Sequence, residues 1–125
     1  MSVLIDSSVW IDYFKGGEKS SKLDGLINDN LIVTNDIILA ELIPFLKIKK
    51  QLKVVELLKE IRCLPLLIDW EEIINTQLKC LKNGSNGIGI ADLIIAQNAK
   101  HNDCKVYTLD KHFGLINQVS KVLIF

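Results

Sequence analysis

Short apolar runs that stop at an acid or a polar residue alternate with longer stretches whose apolar positions recur every three or four residues. Val3-Leu4-Ile5 is one such run, stopped by Asp6, and reads as a buried strand. Ser7 and Ser8 offer hydroxyl caps to an amphipathic helix over 9–14, ended by Gly16-Gly17. Ser20 or Ser21 can cap a second helix with Leu23, Leu26 and Ile27 on one face. A strand over 31–34 follows, then a helix capped by Asn35 or Asp36 that carries Ile37, Ile38, Leu42 and Phe45. Pro44 is expected to bend or shorten that helix, because proline removes a backbone donor.

The next helix, over 51–61, has Val54, Val55, Leu57, Leu58 and Ile61 as its apolar stripe. Residues 63–68 read as a strand, with Pro65 pointing to an edge position, and Asp69 caps a helix reaching 82. The segment 83–89, with three glycines, is the most flexible by composition. A helix over 91–101 rich in small residues, a strand over 105–109, a short helix from 111 and a strand over 122–125 complete the chain. Strands alternating with helices imply an α/β fold, a three-layer α/β/α sandwich around a mainly parallel sheet. With no internal repeat and no linker, residues 1–125 are expected to form a single domain.

Composition supports that expectation and narrows the class. A chain of 125 residues, 49% of them apolar, can bury a core without metal or disulfide staples. Lys and Arg (15) balance Asp and Glu (15), so net charge selects no partner. The run Lys47-Ile48-Lys49-Lys50, with Lys53 beyond it, can hold phosphates or simply form a solvated helix face. Cys63, Cys80 and Cys104 cannot all pair and match no zinc spacing; they are expected to be buried free thiols in a reducing cytosol. No signal peptide and no membrane-spanning run is legible, so a cytoplasmic location is expected.

The acids then change the picture. Ligand sites of open parallel sheets gather beyond the carboxyl ends of the strands. Asp6 ends the first strand, and Asp110 follows the strand that contains Val106-Tyr107-Thr108-Leu109. Glu41 lies on the second turn of the helix that leaves the strand ending at Thr34, and Asp92 in the first turn of its own helix. Four carboxylates can therefore converge. Close carboxylates repel, and a hard divalent cation with oxygen ligands, Mg²⁺ or Mn²⁺, removes the conflict. No histidine or cysteine falls in these four positions, which argues against zinc.

Each acid also has a bland reading. Asp6 and Asp110 can cap the helices that follow them, Asp92 can answer a helix dipole, and Glu41 can lie on a wet face. Ser8 can orient Asp6 or a water, or serve as a helix cap; Thr108 can act likewise, or reflect strand propensity alone. Asp12 is expected to face solvent, and His101 and His112 to answer helix dipoles. Trp10, Tyr13 and Phe14 can stack or make a dimer contact, with helix-face packing the simpler reading for two of them.

Four segments, in order, carry a family resemblance. Leu4-Ile5-Asp6-Ser7-Ser8-Val9-Trp10-Ile11-Asp12, Thr34-Asn35-Asp36-Ile37-Ile38-Leu39-Ala40-Glu41-Leu42, Gly89-Ile90-Ala91-Asp92-Leu93-Ile94-Ile95-Ala96 and Thr108-Leu109-Asp110-Lys111-His112-Phe113 resemble the acidic motifs of the PIN-domain family, specifically its VapC-type toxins. The resemblance implies a Mg²⁺- or Mn²⁺-dependent endoribonuclease using Asp6, Glu41, Asp92 and Asp110. It further implies tRNA or another structured RNA as substrate, products with a 5′-phosphate and a 3′-hydroxyl, a homodimer, and a small VapB-like antitoxin that blocks the acidic site. The alternative is a PIN-like RNA- or protein-binding module without catalysis. Phosphoacceptor receivers place two adjacent acids after the first strand, and D-x-D phosphatases an acid two residues on. Ser7 and Ser8 stand in those positions.

Overall fold

A computed structural model describes residues Met1–Phe125. The apolar run Val3–Ile5 forms β1, buried on both faces, and α1 (Ser7–Phe14) leaves it directly. After α2 (Leu23–Asn28) and β2 (Ile32–Val33) come four helices: α3 (Asp36–Ile48), α4 (Leu52–Lys59), α5 (Trp70–Lys82) and α6 (Ile90–His101). β3 (Lys105–Tyr107), α7 (His112–Ser120) and β4 (Leu123–Ile124) complete the order. The strands form one sheet in the order β2-β1-β3-β4, and every neighbouring pair is parallel. Val3 pairs with Ile32 on one side and with Lys105 on the other, so β1 is central.

This order fixes where a crevice can open. The chain leaves β1 toward β2 and leaves β3 in the opposite direction, toward β4. Right-handed crossovers then send α1 and α2 to one face of the sheet and α7 to the other. The helices diverge where β1 meets β3, and the gap at the carboxyl ends of these two strands is the topological switch point.

α6 is the central helix. Leu93 through Ala99 are all buried, and the small Ala96 and Ala99 allow close approach to the elements around it. Two of these buried residues are amides with a structural task. Asn98 Oδ1 accepts from Asn35 Nδ2 (2.8 Å), and Asn98 Nδ2 donates to the carbonyl of Pro65 (3.0 Å). Gln97 brackets Asp69, donating to its carbonyl and accepting its N–H.

These amides explain why residues 63–68 do not form the expected strand. Only a parallel bridge between Thr34 and Cys63 extends the sheet, flanked by bonds from Leu64 N to Thr34 O and from Thr34 N to Arg62 O. Pro65 has no N–H to continue a ladder, and α6 side chains take its carbonyl and the backbone groups of Asp69.

Pro44 also departs from expectation. α3 runs unbroken through it for 13 residues. The carbonyl that Pro44 leaves without an intrahelical donor belongs to Ala40, and both residues are exposed, so water can serve that group. Asn35, not Asp36, caps this helix, accepting the N–H of Ile38 at 2.9 Å. Asp69 caps α5 as expected. Neither Ser20 nor Ser21 caps α2, whose N-cap is Lys22.

Cys80 and Cys104 are buried free thiols, whereas Cys63 is exposed, lying on the edge bridge rather than inside the sheet. Asp12 does not face solvent freely: it is half-buried and accepts the Ser20 N–H at 2.9 Å. A side chain at Gly17 would collide with its carboxylate, which is why the turn after α1 needs glycine there. Trp10 is buried and Phe14 stacks on it at 5.7 Å, as helix-face packing requires. No helix is long and apolar enough to cross a membrane.

Candidate metal centre at the sheet switch point

Asp6 is only 5% exposed, at the point where β1 turns into α1. Its backbone starts the helix, since its carbonyl accepts from Val9 and Trp10, but its side chain makes no cap bond. Oδ2 instead takes two hydroxyl donors, Ser8 Oγ at 2.7 Å and Thr108 Oγ1 at 2.9 Å. The capping readings of Asp6 and Ser8 thus fall away.

Each hydroxyl is also held from behind by the backbone after β3. Ser8 Oγ accepts the N–H of Leu109 (3.0 Å), and Thr108 Oγ1 accepts the N–H of Asp110 (3.0 Å). A hydroxyl has one proton to give, and here both protons go to the same carboxylate oxygen. The ends of β1 and β3 are thereby locked together, while Asp6 Oδ1 takes no protein donor. Thr108 lies just past the last residue of β3, so strand propensity does not account for it.

Asp110 follows in the same turn and accepts the N–H of His112, the first residue of α7, at 2.9 Å, which leaves its other lone pairs free; the N-cap position itself belongs to Lys111. Asp92 enters from the first turn of α6, half-buried. Burial above all, then the negative charges of Asp110 and Asp6, raise its pKa above 3.8, while His112 and the Gly89 N–H pull the other way. Glu41 stands on the exposed side of α3 and accepts the Ser7 hydroxyl at 3.4 Å. Partial desolvation of its carboxyl, then Asp6 and Asp92, raise its pKa above 4.5; Ser7 lowers it and Asp110 adds a smaller push upward.

The four acids proposed from sequence therefore fall within electrostatic reach of one another. Their tightest grouping adds a histidine, His112. Donor atoms of Asp92, Asp110 and His112 all lie within 4.8 Å of each other. His112 Nδ1 stands 3.4 Å from Asp110 Oδ1 and 3.8 Å from Asp92 Oδ2. Its assignment to a helix dipole is corrected, because His112 opens α7, the end of a helix where positive charge is disfavoured. The signal available in sequence was its spacing, two residues after Asp110. His101, by contrast, ends α6, where a dipole does favour it, and pairs with Glu72 at 3.2 Å.

A parallel α/β domain with carboxylates gathered at its switch point is a class that comparison narrows further. The PIN-domain family model matches residues 3–118, and the chain belongs to that family. A search of the curated proteins returns no significant match. Among solved structures, the chain is similar to VapBC2 from Rickettsia felis, bound to a DNA fragment from their promoter. That match has a TM-score of 0.77 and 19% identity, covering 100% of this chain and 98% of the other. FitAcB from Neisseria gonorrhoeae matches with a TM-score of 0.70 at 23% identity, covering 98% and 96%. A toxin–antitoxin complex from Klebsiella pneumoniae matches with a TM-score of 0.64 at 17% identity, covering 87% of each chain. At these identities the likeness establishes the fold.

Proposed function

We propose that this PIN-domain chain is a metal-dependent endoribonuclease toxin of the VapC type. On this reading it hydrolyses phosphodiester bonds of tRNA or another structured RNA, leaving a 5′-phosphate and a 3′-hydroxyl. The observation that carries the reading is the convergence of Asp6, Glu41, Asp92 and Asp110 at the switch point, with two of the carboxyls pushed toward protonation by their surroundings. Such a donor set fits a hard divalent cation, Mg²⁺ or Mn²⁺, which favours carboxylate oxygens and offsets their repulsion. Asp6, Asp92 and Asp110 would hold it, with Glu41 joining directly or through water.

When bound, the cation would supply a water acidic enough to attack near neutral pH and would neutralise charge on the scissile phosphate. The chain's own residues prepare that chemistry. Ser8 and Thr108 occupy Asp6 Oδ2 with hydroxyl protons, which fixes the orientation of the carboxylate and leaves Oδ1 available. Ser7 gives Glu41 its one side-chain donor.

A cognate VapB-like antitoxin is proposed as the regulating partner, a reading supported by solved neighbours that are VapBC and toxin–antitoxin assemblies. We assign these activities to one PIN-like domain spanning 1–125, acting in the cytoplasm; three unpaired cysteines suit a reducing compartment. A homodimer is proposed through α5. Trp70, Ile74, Leu78 and Leu81 form one stripe on this helix, each between 48 and 59% exposed. Glu71 stands at one end and Lys82 at the other, on the same flank. Antiparallel packing of two copies would bring these charges opposite each other.

The test is a Mn²⁺ titration of thermal stability combined with incubation of the protein with structured RNA. Stabilisation by Mn²⁺ and chelator-sensitive cleavage are expected. An unchanged melting temperature without cleavage would instead favour the alternative, a catalytically inactive PIN-like module that binds RNA or protein.

A further inference from the structure

Building on the metal-dependent reading above, we infer that His112 is a ligand of the Asp92–Asp110 centre and biases it toward first-row transition-metal cations over Mg²⁺. The three side chains offer two oxygens and one nitrogen, with Nδ1 at 3.4 Å and 3.8 Å from the two carboxylate oxygens. Ligands held about 2.1 Å from one ion stand roughly 3.0 Å apart on an octahedral edge and roughly 3.4 Å apart in a tetrahedron. The two histidine–carboxylate separations lie within about an ångström of either arrangement.

Two further contacts set the ring in that position. The His112 N–H donates to Asp110 Oδ1, so imidazole and carboxylate rise from a single turn. On the other side the loop before α6 passes with a glycine: a Cβ at Gly87 would stand 3.4 Å from Nε2 and 3.8 Å from Cε1. The outer nitrogen thus faces the loop, while Nδ1 faces the carboxylates.

An imidazole changes which cation is preferred. Mg²⁺ binds through oxygen and keeps its waters, and gains little from a nitrogen donor. First-row transition metals gain more, in an order that begins with Mn²⁺. Four carboxylates alone would discriminate poorly between Mg²⁺ and Mn²⁺; two carboxylates with an imidazole discriminate.

The experiment is calorimetric titration of the full chain with Mn²⁺ and with Mg²⁺, together with electron spin-echo spectroscopy of the bound Mn²⁺. The wild type should prefer Mn²⁺ and display nitrogen modulation from a coordinated imidazole. In His112→Ala the modulation should vanish and Mn²⁺ affinity fall by on the order of tenfold or more, with a smaller loss for Mg²⁺. His101→Ala, which removes the other carboxylate-paired histidine, should keep the modulation and the preference. Mn²⁺ bound without nitrogen modulation, or an unchanged Mn²⁺/Mg²⁺ ratio in His112→Ala, would overturn the inference. If Asp92→Asn still abolished binding in that case, only the role of His112 would fall. A wild type that binds neither cation would overturn the functional reading as well.

Discussion

Thr108 Oγ1 lies 2.9 Å from Asp6 Oδ2, joining the end of β3 to the end of β1 across the switch point. The same hydroxyl accepts the N–H of Asp110, so one side chain positions two of the four acids. With the Ser8 hydroxyl on the same oxygen, it fixes a buried carboxylate that would otherwise be free to turn.

Thr108→Val keeps the shape of the side chain and removes both bonds. It should cost about 1–3 kcal/mol, because the buried Asp6 carboxylate and the Asp110 N–H each lose a partner. Denaturant unfolding of variant and wild type measures the cost. RNA cleavage should fall as well, since Asp6 and Asp110 lose a shared anchor.

The centre should make the metal-free protein less stable as pH rises. Asp92 and Glu41 have pKa values raised above 3.8 and 4.5 by burial first, then by neighbouring negative charge. A carboxyl raised in this way binds its proton more tightly folded than unfolded. The folded state is therefore favoured at low pH and loses that advantage as pH climbs through the raised value. Asp92→Asn should accordingly gain on the metal-free wild type as pH rises from the ordinary carboxylate range toward neutrality. Partial solvation keeps the gain below about 1 kcal/mol. Melting temperatures across pH check the sign, and Mn²⁺ should reverse it by stabilising only the wild type.

Much of this centre was legible because strand-ending acids are marked by simple local patterns. The run Val3-Leu4-Ile5 stops at Asp6, and the strand after Cys104 stops just before the Thr108–Asp110 turn. Side-chain partnerships across the fold were not legible. His112 looked like an isolated histidine because Asp92, one of its two partners, is 20 residues earlier and arrives on a different helix. Residues 63–68 carry an apolar strand pattern, yet α6 amides take the Pro65 carbonyl and the backbone of Asp69 that follows. The sequence signal for that outcome was two amides, Gln97 and Asn98, in an otherwise apolar helix.

Asn98→Leu should therefore destabilise the fold far from the acids. Asn35 Nδ2 and the Pro65 carbonyl would both lose their partner, at about 1–3 kcal/mol each. Equilibrium unfolding measures the loss, while the Mn²⁺ affinity of the folded fraction should stay at the wild-type value.

Leu78→Asp introduces a charge in the middle of the exposed α5 stripe. Sedimentation of the wild type should report a dimer and that of the variant a monomer with unchanged helical content. A wild type that is monomeric at micromolar concentration would contradict the α5 interface.

The most direct measurement is RNA cleavage by Asp6→Asn beside the wild type, in saturating Mn²⁺ and again with chelator. Asparagine can still accept the Ser8 and Thr108 hydroxyls, so the fold should persist with a nearly unchanged melting temperature. The wild type should cut only when the cation is present, and Asp6→Asn should not cut. Full, chelator-sensitive cleavage by Asp6→Asn would contradict the assignment of this carboxylate to the metal centre.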